Sequence, residues 1–390
     1  MQQLQKSERP HIAFFGCTNS GKSSLVNAIT NQNLSIVSDI KGTTTDAVTK
    51  SMEILPLGPV VIIDTAGVND EGELGNLRTE KTNEVLDKTD IAILVIDSIV
   101  GENEFDKNMI REFEARKIPY LVVLNKVDIT PSQPSPSREG AMLVSALTGK
   151  GVKELKDKIA TLINDNKKEK FIIKDRLQAG DTVIMVIPID ESAPKGRIIL
   201  PQQNTLREIL DAHATAICVQ PSGLENILKT FTPKYIITDS QVFNEVKKIV
   251  SENIILTSFS ILMANYKGEL DILVNGAKKI SELKDGDKVL ISEGCTHHRQ
   301  CNDIGTVKLP NWIKKYTGKN LDFEFTQGGE FPQDLSKYTL IVHCGGCMLN
   351  EAEMKSRLRK ASEQNIPIVN YGMAIAYMNG ILERSLEIFR

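Results

Sequence analysis

Ile12-Ala13-Phe14-Phe15-Gly16-Cys17-Thr18-Asn19-Ser20-Gly21-Lys22-Ser23 decides the fold of the first third of the chain. An apolar run of strand character leads into a segment that fits G-x-x-x-x-G-K-[ST], and a helix-compatible stretch follows. Strand, glycine loop and helix in that order are the context in which this pattern binds phosphate. Backbone N–H groups across Gly16, Asn19, Ser20, Gly21, Lys22, Ser23 and Ser24, at the N-terminus of the helix, are expected to cradle the phosphates. Lys22 is expected to reach the β and γ oxygens, and Ser23 to ligate Mg2+.

The elements that complete such a site follow in order. Gly42-Thr43-Thr44-Thr45-Asp46 lies where a mobile loop must offer a hydroxyl to the metal, with Thr44 the candidate. Asp64-Thr65-Ala66-Gly67 follows the next strand and supplies a carboxylate near Mg2+ and, at Gly67, an N–H for the γ-phosphate. Asn125-Lys126-Val127-Asp128 then decides the base. The Asp128 carboxylate can accept from guanine N1 and N2, whereas adenine would leave buried polar groups unpaired, so GTP is expected over ATP. Ser145 and Ala146 are expected to add backbone contacts to the guanine oxygen. One such element is a common chance match; five in order are not. Lys22, Thr44, Asp64 and Gly67 are the expected catalytic set.

The 390 residues are too many for one core, and the formal charge of −3, with no dense Lys/Arg run, gives no general attraction to nucleic acid or anionic lipid. No apolar run is long enough to span a bilayer and the first ten residues lack a signal-peptide core, so a cytoplasmic protein is expected. In residues 1–170, apolar runs at Ile12–Phe15, Val60–Ile63, Ile91–Ile96, Tyr120–Leu124 and Ala141–Val144 alternate with polar, helix-compatible segments. This is the pattern of an α/β domain with a parallel-type sheet. A second α/β block, 171–260, places strands near Val183–Ile187, Ala216–Val219, Tyr235–Ile237 and Ile254–Leu256. The third block, 261–390, ends in an expected helix at Ala374–Phe389. Cys218, in a strand, is expected in the core.

The third block carries Cys295-Thr296-His297 and, after a long gap, His343-Cys344-Gly345-Gly346-Cys347. Three thiols and two imidazoles in this pattern are of metal-ligand type, and Gly345 and Gly346 permit the tight turn that lets Cys344 and Cys347 face one ion or cluster. Buried thiols, a zinc site using Cys295, Cys301, Cys344 and Cys347, and a thiol redox pair remain open readings of these residues alone.

Two resemblances add to this. Asn19 and the segment Gly42–Asp46 resemble the Era and TrmE-type tRNA-modification GTPases, which implies K+ at Asn19. Val68 stands where Ras-like proteins carry the water-orienting glutamine, so intrinsic hydrolysis is expected to be slow. The whole arrangement, C-x-H and H-C-x-x-C behind an Era-like domain, resembles the HydF family, GTPase and scaffold proteins of FeFe-hydrogenase maturation. That resemblance implies a 4Fe-4S cluster held by Cys295, Cys344 and Cys347 through three irons. His297 and His343 occupy the two family histidine positions, and the fourth iron would carry an exchangeable ligand: His343, His297, a carboxylate such as Glu293, or water. It also implies dimerisation through 171–260 and a cluster-binding domain at 261–390. The implied partners are radical S-adenosylmethionine maturases and the hydrogenase, which receives a precursor of its two-iron subcluster. The rivals are an RNA-associated Era/TrmE-like GTPase and a GTPase with a structural zinc domain.

Overall fold

A run such as Ile91–Ile96, apolar at every position, can be buried only in a sheet covered on both faces. The computed structural model builds that sheet; it describes residues 6–30, 48–54, 58–65, 73–129, 140–166, 169–189, 198–268, 270–294, 304–346 and 349–390. The chain forms two compact units, Met1–Lys168 and Glu169–Arg390.

In the first unit the strands are β1 (His11–Phe15), β2 (Val48–Ile54), β3 (Gly58–Asp64), β4 (Ile91–Asp97), β5 (Tyr120–Asn125) and β6 (Met142–Leu143). They lie in the order β2-β3-β1-β4-β5-β6, with β2 antiparallel to β3 and every other pair parallel. Side chains alternate between faces. Ile91, Ile93 and Val95 pack with Leu25, Val26 and Ile29 of the helix Lys22–Thr30 and with Leu155 and Ile159 of the helix Val152–Asn166. Ala92, Leu94 and Ile96 pack on the other face with Val85 and Leu86 and with Met109, Ile110 and Phe113 of the helix Glu104–Arg116. The strand β2, Val-Thr-Lys-Ser-Met-Glu-Ile, was not among the expected ones: its polar alternation suits an antiparallel edge and lacks the fully apolar signature of the buried strands.

The second unit holds two parallel four-stranded sheets. β7 (Thr182–Val186), β8 (Thr215–Val219), β9 (Tyr235–Thr238) and β10 (Ile255–Ser258) lie in the order β10-β9-β7-β8. β11 (Lys288–Glu293), β12 (Asp322–Gln327), β13 (Leu340–His343) and β14 (Ile368–Asn370) lie in the order β12-β11-β13-β14. One apolar cluster runs through both sheets, from Ile184 and Ile236 to Ile291 and Val342, so the residues of 171–260 and 261–390 share a core. The helix Phe259–Lys267 crosses from one block to the other, and Ile261 and Ala264 on it belong to that core.

Two expectations are corrected. Cys218 is exposed, because β8 is an edge strand with only one covered side. The expected helix Ala374–Phe389 is three pieces, Tyr371–Met378, Leu382–Leu386 and the 3-10 turn Glu387–Phe389. The first ends at Asn379, and Gly380 takes φ +67°, which halts an α-helix.

Gly276, in the helix Leu270–Lys278, touches the backbone of β14 so closely that a Cβ would stand 1.9 Å from the Ile368 carbonyl oxygen. Gly276→Ala is expected to lower unfolding stability by about 1–3 kcal/mol, the usual range for overpacking. An unchanged urea midpoint would contradict this packing.

Candidate functional site

At the C-terminal end of β1 the chain folds into the phosphate loop because its glycines stand where side chains cannot. A Cβ on Gly16 (φ +147°) would meet the Val95 carbonyl oxygen at 2.2 Å, and one on Gly21 (φ +87°) would meet Asn125 Nδ2 at 2.3 Å. Asn19 adopts the left-handed region at φ +63°, which asparagine tolerates better than most residues. Lys22 is 6% exposed, and its Nζ donates to the Gly16 and Cys17 carbonyls, both at 2.8 Å, which holds the ammonium at the centre of the loop. Ser23 Oγ donates to Asp64 Oδ2 at 2.7 Å, joining the helix start to the end of β3. Thr65 Oγ1 donates to the Phe14 carbonyl at 2.6 Å and pins the next residue to β1. Ser24 is exposed on the first turn of the helix.

Burial dominates the electrostatics. It pushes the Lys22 ammonium below its ordinary range, against attraction from Asp64. It raises the Asp64 carboxyl above its own, against the Ser23 hydrogen bond and Lys22. Asp64 Oδ1 is buried and has no hydrogen-bond partner among the described residues. A buried, unsatisfied carboxylate oxygen beside a serine hydroxyl is a donor set that fits Mg2+. Thr44, Gly67 and Val68 lie outside the described residues.

The base-side residues form one network. Asn125 Nδ2 donates to the Ser20 carbonyl at 3.0 Å while its Oδ1 accepts from the Ala146 N–H at 3.0 Å, so a single amide ties the phosphate loop to the residues after β6. Ser145, fully buried, donates its hydroxyl to Asp128 and accepts from the Thr148 N–H, which orients the exposed carboxylate. Lys126 (φ +66°) reaches Asp97 Oδ2 at 2.6 Å.

A second constellation lies at the ends of β11 and β13, adjacent parallel strands in which Ser292 pairs with His343. Cys344 follows β13, and its Sγ accepts from the Gly294 N–H at 3.0 Å and the Gly346 N–H at 3.4 Å. Gly294 immediately precedes Cys295 in the chain. Backbone N–H groups aimed at sulfur are a donor set that fits an iron-bound sulfur. A Cβ on Gly294 would stand 2.6 Å from Leu349 Cγ, so the two segments also interlock through apolar contact. His343 is fully buried. Its Nδ1 bonds the Cys344 carbonyl at 2.7 Å and its Nε2 lies 2.9 Å from Arg357 Nη1. A carbonyl only accepts and a guanidinium only donates, so Nδ1 carries the proton and both nitrogens are engaged. In this conformation both ring nitrogens of His343, one of the four expected alternatives for the fourth position, are engaged with protein groups. Arg357, 3% exposed, also bonds Glu353 Oε1 at 2.9 Å and the Gly328 carbonyl at 2.7 Å. Cys295, His297, Cys301 and Cys347 lie outside the described residues; among the described residues no group of three or more His, Cys, Asp or Glu side chains is placed to hold a metal ion.

Comparison with known proteins matches residues 172–268 to the hydrogen maturase F dimerization domain and 271–388 to the hydrogen maturase F tetramerization domain. The chain belongs to the hydrogen maturase F family. Residues 11–126 match the family described as 50S ribosome-binding GTPase, so this HydF chain carries a GTPase domain. The chain is 36% identical over 176 residues to the tRNA modification GTPase MnmE of Endomicrobium trichonymphae, covering 42% of this chain and 38% of that protein. It is 35% identical over 131 residues to GTPase Der of a Nitratiruptor species, covering 33% and 28%. The chain thus spans well under half the length of these curated relatives. The solved structure of Era in complex with MgGDPNP and nucleotides 1506–1542 of 16S ribosomal RNA aligns with a TM-score of 0.34 at 21% identity, over 59% of this chain and 92% of that one. Among the described residues no helix is long and apolar enough to cross a membrane.

Four residues of the HydF chain gain a place that motif reading did not give them. Asp97, at the end of β4, aims Lys126; Gly294, Lys267 and Arg357 surround the Cys344 segment. Only Gly294, beside Cys295, had a signal in its position.

The raised carboxyl of Asp64 has a stability consequence. Its favourable contribution is present below the ordinary carboxylate range and is lost as pH rises through the folded-state value, so at neutral pH the buried charge destabilises the nucleotide-free protein. Asp64→Asn is expected to raise the nucleotide-free Tm of the first transition by about 2–4 °C, the shift that roughly 1 kcal/mol produces in a domain of this size. It should also weaken Mg2+-dependent nucleotide binding roughly tenfold or more, about 1.4 kcal/mol. Scanning calorimetry and a nucleotide titration check both.

Proposed function

We propose that this protein binds and hydrolyses GTP in its first unit and carries a 4Fe-4S cluster in its second. In that capacity it acts as a scaffold on which a precursor of the two-iron subcluster is assembled and passed to FeFe-hydrogenase. The observation that carries the proposal is the Cys344 thiol. Two backbone N–H groups point at its sulfur, one from the residue before Cys295, at the end of a parallel sheet in a chain of the hydrogen maturase F family. Self-association through 172–268 and 271–388 follows from the names of those domains, and the radical S-adenosylmethionine maturases and hydrogenase are the proposed partners.

For the GTPase, Lys22 meets the β and γ oxygens, Ser23, Asp64 and Thr44 serve Mg2+, and Gly67 meets the γ-phosphate. Gly16, Asn19, Ser20, Gly21 and Ser24 complete the phosphate cradle, and Asn125, Lys126, Asp128, Ser145 and Ala146 form the guanine side. K+ at Asn19 takes the part of an arginine finger, supported by the left-handed backbone of that residue at the rim of the loop. K+ is expected to raise the GTP turnover rate by at least roughly tenfold over Na+ at equal ionic strength, well below the 10³–10⁵ of a protein arginine finger. Equal rates in the two salts would sink the role of Asn19.

Cys295, Cys344 and Cys347 are the proposed cluster ligands. A cluster held by three thiolates supplies one iron open to cargo. The chain's own part is to hold the thiol segment: Gly294 and Gly346 bond the Cys344 sulfur, and His343, fixed by Arg357, bonds its carbonyl. This arrangement makes His343 a positioning group and leaves the fourth position to His297, a carboxylate such as Glu293, or water. Anaerobic purification is expected to give about four irons and four sulfides per chain and an EPR signal after dithionite, both lost or strongly altered in Cys344→Ser. Stoichiometric zinc without sulfide would instead establish the zinc reading with Cys301.

A further inference from the structure

We infer that Asn103 is a positioning residue of the nucleotide site, capping the helix Glu104–Arg116 with one end of its amide and holding the phosphate loop at Cys17 with the other. Asn103 precedes that helix in extended conformation (φ −121°, ψ −177°). Its Oδ1 accepts from the Asp106 N–H at 3.1 Å, and Asp106 Oδ2 accepts from the Asn103 N–H at 3.0 Å, so the helix start is closed from both sides. The remaining group, Asn103 Nδ2, donates to Cys17 Sγ at 3.0 Å, across 86 positions of chain. Cys17 is a place where the loop can be held. Its carbonyl accepts from Lys22 Nζ at 2.8 Å and from the Ser20 N–H at 3.2 Å. One peptide group thus takes part both in aiming Lys22 and in bending the loop. Gly16 before it, at φ +147°, brings no side chain of its own to fix that peptide.

The residue types point the same way. Serine, aspartate and asparagine cap helices about equally well, and of the three only asparagine carries N–H donors on a separate atom beside the capping oxygen. A cap alone has no use for them. Asp106 adds a second sign. It is 2% exposed, and its Oδ1 is buried without a hydrogen-bond partner among the described residues. Capping occupies only Oδ2, so the helix start does not account for the rest of this buried charge. Burial lowers the Lys22 ammonium, and the negative charge of Asp106 opposes that shift, as Asp64 does more strongly. The capping pair therefore gives the loop a hold through Asn103 and a charge through Asp106, both from outside the G-x-x-x-x-G-K-[ST] segment.

This inference rests on the GTPase reading above, and the test separates the two. The full chain would be titrated with a fluorescent GDP in the presence of Mg2+, as wild type, Asn103→Ser, Cys17→Ala and the double variant, and each would be melted without nucleotide. Asn103→Ser keeps a capping oxygen and removes the donor to sulfur. Its first thermal transition is expected to stay within about 1 °C of wild type, while GDP affinity falls about fivefold, the scale of one hydrogen bond. Cys17→Ala is expected to lose about as much, and the double variant no more than either alone. A wild type that binds no guanine nucleotide would overturn the GTPase reading and this inference together. With a wild type that binds, unchanged affinity in either single variant, or losses that multiply in the double variant, would overturn the inference alone. So would a fall in the Asn103→Ser transition as large as that of Asn103→Ala, which would confine Asn103 to the helix cap.

Discussion

Parallel strands constrain everything else in this chain. All their C-terminal ends emerge on one edge of the sheet, and where the strand order reverses, successive connections leave in opposite directions and open a crevice. In the first sheet the chain goes from β1 toward β3 on one side and returns to β4 on the other; in the third it goes from β11 to β12 and returns to β13. The phosphate loop follows β1, and Gly294 and Cys344, which meet through an N–H···S bond, follow β11 and β13. The two constellations occupy the same topological place because it is where backbone N–H groups are brought to an edge without being used in the ladder.

The two crevices handle charge differently. The phosphate loop keeps a buried cation and a buried anion apart, Lys22 on loop carbonyls and Asp64 on Ser23, with one carboxylate oxygen unsatisfied. Phosphate and Mg2+ are the species that relieve that arrangement. Around Cys344 the sulfur already has its N–H donors, and the buried cations Lys267 and Arg357 bond the carbonyls and imidazole next to it.

Much of this was legible in the residues. The strands of the first unit and the place of each glycine-loop residue followed from apolar runs and spacing, because burial on both faces leaves a continuous apolar signature. β2 escaped because an antiparallel edge strand needs only half of it. The terminal helix was drawn too long because its apolar spacing continues across Asn379-Gly380, and that spacing was given more weight than the Asn-Gly stop signal which the backbone obeys. At the thiol site the cysteines announce themselves, whereas Lys267 and Arg357 look like any charged helical residue until tertiary structure buries them. His343 shows the limit most clearly: its residue type suggested a ligand, and its ring is held between the neighbouring Cys344 carbonyl and a guanidinium fourteen positions away.

The N–H···S bond from Gly294 to Cys344 joins residues 50 positions apart. Their proximity depends on β11 and β13 having paired, with β12 and its preceding helix already inserted between them in sequence. Such a contact forms late, since loop closure must precede it. The sheet therefore has to fold before the Gly294 N–H can meet the Cys344 sulfur, and this edge of the domain is completed on an already folded surface.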